Sequence, residues 1–234
     1  MPEQKSVDEL VDDLLADMPT NAEVEIELPS RKKAVIRPMT FEEERQMVAV
    51  SKKQQDPSFV LLSHCVKDIE LSELLIIDKI YLLFKIRELS FGSVYKFIMG
   101  CPQCGHENHY SIDIDKLPVN RLEEETDFVE MILPMSKKKV KLRLATLKEE
   151  EYATDPEKAL DNLWRFVLKF EDTDRKDVIS KVIRKLPAGD INSMLGKILC
   201  EGYGISSEVR VKCDACTYDQ PTMLPFTKDF FSVT

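Results

Sequence analysis

Two Cys-x-x-Cys pairs lie more than a hundred residues apart in this chain. Cys101 and Cys104 form the first pair, and Cys213 and Cys216 form the second. Each pair stands between two segments with the alternating pattern of strands, which predicts a strand–knuckle–strand ribbon at both places. Four thiolates that arrive as two preformed pairs are the ligand set of a tetrahedral Zn²⁺ site. We therefore expect one structural zinc ion, shared by both pairs, that ties the two regions together.

A zinc ion held by four cysteines has no open coordination position, so such a site is structural rather than catalytic. Pro102 and Gly105 suit the first knuckle, since glycine after the second cysteine permits a left-handed turn. In the second knuckle Asp214, Ala215 and Thr217 stand in place of proline and glycine, which predicts a less regular turn. One alternative stays open, namely four reduced cysteines in a site that has lost its metal.

The amino-acid composition is that of a soluble globular protein. The chain has 234 residues, of which 43% are apolar and 32% charged, as in soluble globular proteins with ample material for a core. The formal net charge of −9 argues against a general affinity for nucleic acid. No segment approaches the roughly 20 apolar residues of a membrane span, and the N-terminus lacks the apolar core of a signal peptide. The cysteines are therefore expected to be reduced and metal-bound rather than disulfide-paired.

The predicted elements occur twice in the same order, as a β-hairpin, helices and a strand–knuckle–strand ribbon. The hairpins lie in residues 25–44 and 130–151. Pro29 matches Pro134 at an offset of 105 residues, and the two cysteine pairs match at an offset of 112. The sequence therefore predicts an α+β fold of two pseudo-twofold halves, joined by one zinc-ribbon-like site with four cysteine ligands.

Local signals mark helix starts in both halves. Thr40 and Thr146 each precede a glutamate by three residues, the spacing of a capping box. Asp56 and Asp155 each precede a proline, which predicts a side-chain cap before the first helical residue. The predicted helices cover residues 41–54, 57–69, 72–89 (capped by Ser72), 156–170, 175–185 and 190–201. The apolar run over residues 74–86 is expected to be the central core helix.

Three segments follow from this organisation. An N-terminal amphipathic helical arm is expected at residues 1–21, a first repeat at 22–120 and a second repeat at 121–234. The arm carries acidic residues between apolar residues at helical spacing, which are Val7, Leu10, Val11, Leu14, Leu15 and Met18. It could dock on its own domain, reach a partner or form a mobile tail, and these alternatives stay open.

The remaining cysteines and the histidines favour ordinary structural roles. Cys65 and Cys200 fall inside apolar helical stretches and are expected to be buried free cysteines. His106 and His109 follow the first knuckle and are expected to be exposed loop residues, because four cysteines already fill the site. His64 is attributed to packing in a helix. No phosphate-binding loop, dinucleotide fingerprint, nucleophile elbow or His-Glu-x-x-His motif occurs, so the sequence does not indicate an enzyme.

Several segments, taken in order, resemble the baseplate hub proteins of T4-type contractile-tailed bacteriophages. They are residues 35–44, 78–92, the Cys101–Gly105 knuckle and residues 112–114. The likeness extends over about residues 22–120, and the second knuckle with Asp229-Phe230-Phe231 agrees with it. The resemblance implies a structural or assembly component of the hub at the tip of a phage tail. Such a protein would be assembled in the host cytoplasm, reside in the virion and bind other baseplate or hub proteins.

Two other functions are compatible with parts of the sequence. A zinc-ribbon module that binds nucleic acid is the main alternative, because residues 31–33 and 137–141 form two basic hairpin tips. The acidic remainder and the lack of aromatic residues among these lysines make nucleic acid an unlikely partner. An enzyme with an unrecognised site is a third alternative. Association of the chain with itself is left open, and residues 7–18 and the hairpin edges are the expected docking surfaces.

Overall fold

The structure, a computed structural model, describes residues 6–15, 23–51, 56–224 and 228–231. These residues form helices and several small sheets, which confirms the predicted α+β class. The helices are α1 Val7–Leu15, α2 Phe41–Ser51, α3 Pro57–Cys65, α4 Ile76–Phe91, α5 Glu150–Ala153, α6 Pro156–Phe166, α7 Lys176–Ile183 and α8 Ala188–Ile198. The strands are β1 Val24–Glu27, β2 Lys33–Ile36, β3 Val66–Lys67, β4 Val94–Gly100, β5 Glu107–Asp113, β6 Val119–Asn120, β7 Phe128–Ile132, β8 Lys139–Arg143, β9 Val167–Phe170, β10 Gly204–Ile205, β11 Glu208–Lys212 and β12 Asp219–Met223.

Two three-stranded antiparallel sheets are built in the same way. The hairpin β1–β2 is extended by β3, and the hairpin β7–β8 is extended by β9, so the middle strand is the second one in each case. Each hairpin tip contains one residue with a left-handed backbone, Arg31 at φ 71° and Lys137 at φ 59°. The first sheet shares a core with α2, α3 and α4, and the second shares a core with α6, α7 and α8.

The third strand of each sheet corrects two predicted helices. The helix predicted for residues 57–69 ends at Cys65, and Val66 pairs with Ile36 of β2. The helix predicted for residues 156–170 ends at Phe166, and the following residues pair with β8. In both segments the backbone N–H and C=O groups form hydrogen bonds to a neighbouring strand instead of hydrogen bonds within a helix.

Other predicted boundaries shift by a few residues. The helix predicted from Ser72 begins instead at Ile76, after a 3₁₀ turn at Leu71–Glu73, so Ser72 is not its cap. Helices α7 and α8 replace the predictions for residues 175–185 and 190–201. The Asp-Pro caps are confirmed, since Asp56 accepts from the Ser58 amide at 2.9 Å and Asp155 accepts from two amides at 3.0 Å.

A buried aspartate holds each hairpin tip. Asp78, at the start of α4, accepts a hydrogen bond from the Ser30 amide at 3.0 Å. Asp190, at the start of α8, accepts from the amides of Met135 and Ser136 at 2.7 and 3.0 Å. Both side chains are fully buried, and both sit at the third position of their helix. A helix N-terminus favours such a carboxylate, so each helix start and its hairpin fix one another.

Helix α4 is the central element, as the sequence predicted. Tyr81, Leu82 and Ile86 pack with the first sheet. Phe84 packs in a separate cluster of mainly aromatic side chains, with Tyr95, Phe97 and Phe230. Nine of its sixteen residues are buried, among them the polar side chains of Asp78, Lys79 and Arg87. The helix therefore contacts nearly every other part of the core.

Two β-ribbons carry the cysteine pairs. Strands β4 and β5 form the first ribbon and β11 and β12 form the second. Tyr95 and Phe97 of the first ribbon share a core cluster with Val211 of the second and with Phe230. The buried Arg87 guanidinium donates to the carbonyl of Phe230 at 3.0 Å, which fastens the 3₁₀ turn Lys228–Phe231 to α4.

Helix α1 stands apart from these cores. Its apolar side chains are exposed, with Val7 and Leu14 at 75% and 76% of their full accessibility. Docking on its own domain, a partner-binding arm and a mobile tail therefore all remain open for residues 7–15, and Met18 lies outside the described residues. Within the part of the chain that the structure describes, no helix combines the length and apolar character needed to cross a membrane.

Candidate metal centre

The two knuckles make the same turn. In the first, the Cys101 amide donates to the carbonyl of His106 at 2.8 Å, and the Gly105 amide donates to the carbonyl of Cys101 at 2.9 Å. In the second, the amides of Cys213 and Thr217 make the corresponding bonds at 2.8 and 3.0 Å. The irregularity predicted for the second knuckle therefore leaves the hydrogen bonds intact. The difference lies in the left-handed residue of the turn, which is Thr217 at φ 60° in the second knuckle and Gly105 at φ 73° in the first.

The four cysteine sulfurs converge between the ribbons. The Cys101 and Cys216 sulfurs lie 3.7 Å apart, as do those of Cys104 and Cys213. All four lie within 4.8 Å of one another. A tetrahedral ion with zinc–sulfur bonds of about 2.3 Å requires sulfurs separated by about 3.8 Å. The arrangement thus has the size and donor set for one four-coordinate Zn²⁺ ion, with two ligands from each ribbon.

Side chains beside the centre bind one ribbon to the other. Asn108 is buried, and its carbonyl oxygen accepts a hydrogen bond from the Asp214 amide at 2.9 Å. Its amide nitrogen donates to the carbonyl of His106 at 3.0 Å. The Tyr110 hydroxyl donates to the carbonyl of Lys212 at 3.3 Å. The two ribbons are therefore held together by contacts other than the sulfurs, and no local sequence pattern identified Asn108.

The electrostatics of the centre favour a thiolate at Cys213. Burial would raise the pKa of this thiol, but hydrogen bonds from the backbone amides of Cys216 and Ala215 outweigh burial and lower the pKa to about 6. A thiolate is the form of cysteine that binds metals. Cys101 and Cys213 are buried, whereas Cys104 is exposed, so the centre lies at the rim of the aromatic cluster rather than inside it.

The other candidate residues lie away from the centre. Cys65 and Cys200 are buried, and burial raises the pKa of each to about 12, as expected of unreactive core thiols. His106 is an exposed loop residue, as predicted, whereas His109 is exposed but lies in strand β5 rather than in a loop. His64 is also exposed, so its attribution to packing was wrong. Among the described residues, no other cluster of three metal-ligating side chains lies close enough to hold an ion.

The fold and the centre define a mixed α+β protein whose two ribbons meet at four cysteines. A family model described as T4 bacteriophage base plate protein matches residues 20–231, which is most of the chain. The chain therefore belongs to this family, and the expected relation to T4-type baseplate proteins is confirmed. No curated protein and no solved structure gives a significant match. Family membership implies a structural rather than enzymatic role, a place in the phage tail and other tail proteins as partners.

Proposed function

We propose that this protein is a structural or assembly component of the baseplate hub, stabilised by one zinc ion and acting through protein–protein interfaces. Cys101, Cys104, Cys213 and Cys216 are the zinc ligands in this proposal. It rests on one observation above all, the convergence of four sulfurs from two ribbons in a chain of the base plate family. The ion would supply folding free energy and no chemistry, because four cysteines leave it no open position.

The zinc ion would join two halves of a duplicated scaffold, at residues 22–120 and 121–234. The two sheets support this duplication, since each adds a third strand to a hairpin in the same order. A second support is the pair Asp78 and Asp190, which lie 112 residues apart, as the cysteine pairs do, and hold equivalent hairpin tips.

The sequence separation between equivalent residues of the two proposed halves changes at one place, which identifies where the halves differ. Val66 of β3 and Val167 of β9 follow directly on α3 and α6, and they are 101 residues apart. The offset rises to 112 at Asp78 and Asp190. Eleven additional residues therefore lie between β9 and the start of α8, where the second half contains α7. We infer that α7 is an insertion into a shared plan.

Exposed apolar side chains and free strand edges supply surfaces for partners. Strands β1 and β7 are edge strands of their sheets. Phe128 and Ile132 of β7 are 43% and 66% exposed, and Ile98 of β4 is 58% exposed. A strand edge with apolar side chains can accept a further strand from another protein. These surfaces are where we expect other baseplate proteins to bind.

The basic hairpin tips do not favour binding to nucleic acid. Lys33 pairs with Glu25 at 2.8 Å, and Lys139 pairs with Glu130 at 2.7 Å. Arg31 likewise pairs with a glutamate of its own hairpin. Lysines already neutralised by neighbouring carboxylates release few counterions from a phosphate backbone, which is the main source of such affinity.

Copurification from infected cells tests the proposal. Tagged protein, expressed in place of the phage's own copy, should be recovered with other baseplate proteins and with about one zinc ion per chain. The Cys213→Ser variant should lose the zinc, whereas Cys200→Ser serves as a control that changes a buried thiol elsewhere. Analysis of purified particles beside baseplate intermediates distinguishes a virion subunit from an assembly factor. Recovery without any tail protein, or with nucleic acid that resists physiological salt, would contradict the proposal.

A further inference from the structure

One face of helix α1 carries exposed apolar side chains, and none of them belongs to the core clusters of the described residues. Ser6 caps the helix, because its amide donates to the Glu9 carboxylate at 2.8 Å and its hydroxyl accepts from the Glu9 amide at 3.2 Å. The exposed apolar residues lie at helical spacing and are Val7, Leu10, Val11, Leu14 and Leu15. Four acidic residues and no basic one complete the helix. It is thus a short, acidic, amphipathic helix.

An open groove lies among α6, α7 and α8, and we call it the α6–α8 groove. Its volume is about 490 Å³. Its large apolar lining residues are Leu160, Leu163, Trp164, Ile183, Leu186 and Ile191. Leu160 is 55% exposed, and Trp164 is half-buried. A concave apolar surface of this size accepts a few side chains from one face of a helix.

The charges at the groove complement those of α1. Arg184 lines the groove, and the exposed Lys181 and Lys185 are sequence neighbours of its lining residues Ser180 and Arg184. None of the three has an ion-pair partner among the residues that the structure describes. Asp161 is the one acidic lining residue, and it belongs to the α6 wall rather than to the wall that carries Arg184. In a chain with a net charge of −9, a group of unpaired cations favours an acidic ligand.

We propose that α1 of one copy of this chain packs into the α6–α8 groove of a second copy. The chain supplies both surfaces, the acidic apolar helix and the apolar groove with a basic edge. The arm precedes β1 of the first sheet, whereas the groove is formed by helices that pack on the second sheet. Reciprocal exchange of two arms closes a symmetric dimer and covers both apolar surfaces. This self-association does not depend on the hub function proposed above.

The single tryptophan makes the groove directly observable. Trp164 is the only tryptophan in the chain, so its emission reports on the groove. Sedimentation of the full-length protein should show dimers that dissociate on dilution, together with a red shift of the emission. The Leu10→Asp/Leu14→Asp variant and the Leu160→Asp variant should each weaken dimerisation by about 30-fold or more. Val48→Asp is the control, because Val48 is 51% exposed on α2, which contributes no residue to α1 or to the groove lining. Unchanged circular dichroism shows that each variant folds.

A mixing experiment separates exchange between copies from docking within one copy. The Leu10→Asp/Leu14→Asp variant keeps Trp164 but has no functional arm, whereas a Trp164→Phe chain supplies an arm and no tryptophan signal. Adding the second protein to the first should shift the Trp164 emission to the blue. The proposal is overturned if mixing leaves the Trp164 emission unchanged. A chain that is monomeric at every concentration, or a wild-type emission that does not change on dilution, would overturn it as well. It is also overturned if dimers form but the Leu160→Asp variant dimerises as the wild type does.

Discussion

Glu43 and Glu149 each join a strand end to a helix start. The Glu43 carboxylate accepts a hydrogen bond from Arg37 at 2.9 Å and one from the Thr40 amide at 2.6 Å. Glu149 makes the corresponding bonds with Arg143 at 2.8 Å and with the Thr146 amide at 3.2 Å. The sequence predicted the capping glutamates, but the arginine six residues earlier in each half gives them a second role.

The environment of Glu43 makes stability depend on pH. Burial alone would raise its pKa, but the hydrogen bonds from Arg37 and Thr40 outweigh burial and lower the pKa from 4.5 to about 2. Because the folded-state pKa lies below the ordinary value, the stabilisation is complete above about pH 4.5 and declines as the pH falls towards 2. Glu43→Gln should therefore cost about 2 kcal/mol at pH 7.

Urea unfolding at pH 7 and at pH 3 measures this effect. The difference in unfolding free energy between the wild type and Glu43→Gln should shrink at the lower pH, since at pH 3 the Glu43 carboxyl is protonated in the unfolded wild type but still ionised in the folded state. Glu44→Gln, one residue further along the same turn, is the control and should change little. A difference that stays the same at both pH values contradicts the assigned role of the carboxylate.

At the scale of the elements, the two knuckles offer a matched pair of substitutions. Thr217 holds a left-handed backbone that disfavours a β-branched residue, while Gly105 holds the same conformation without cost. A Cβ atom at Gly105 would meet nothing within 4 Å, so only the backbone would resist a side chain there. Thr217→Gly should stabilise the protein by about 1 kcal/mol, and Gly105→Thr should destabilise it by about as much.

Thermal unfolding of the metal-loaded variants gives this comparison. The melting temperature should rise for Thr217→Gly and fall for Gly105→Thr, and the combined variant should lie close to the wild type. If both changes moved the melting temperature in the same direction, the two turns would not be equivalent.

Local signals in the sequence predicted the ribbons and every helix cap except Ser72, but they did not predict the third strands. The Asp-Pro and Thr-x-x-Glu patterns act within one helical turn, so neighbouring residues suffice to identify them. Val66–Lys67 and Val167–Phe170 were assigned to helices, because a short apolar run fits either period. Their strand character depends on β2 and β8, which lie far away in sequence.

The same distinction applies to the metal centre. Four cysteines in two knuckles were recognisable from spacing alone, as was the inert character of Cys65 and Cys200. Asn108 was missed, because its role depends on the Asp214 amide, 106 residues further along the chain. Asp78 and Asp190 were missed for the same reason, since each binds a hairpin tip distant in sequence.

At the scale of the whole molecule, one lysine joins the proposed halves away from the cysteines. Lys79 of α4 donates to Asp56 at 2.6 Å and to Glu150 at 2.8 Å, so the cap of α3 and the start of α5 meet at a single ammonium group. The residue is only 9% exposed. Lys79→Met should leave two carboxylates facing one another without a cation and cost about 1–3 kcal/mol.

Chemical denaturation with a surface control measures this cost. Lys116→Met removes an exposed lysine that pairs with Asp113 and should change the unfolding free energy by less than about 1 kcal/mol. A further Glu150→Gln change in the Lys79→Met background should recover part of the loss, because it removes one of the opposed charges. A Lys79→Met variant as stable as Lys116→Met would show that this contact does not hold the halves together.

We propose that one zinc ion, bound by both knuckles, joins the two proposed halves of this baseplate protein. Elemental analysis of the purified full-length chain tests it most directly. We predict about one zinc ion per chain for the wild type and for Cys65→Ser, and loss of the ion in both Cys101→Ser and Cys213→Ser. A wild-type protein without zinc, or a knuckle variant that retains a full equivalent, would contradict the shared site.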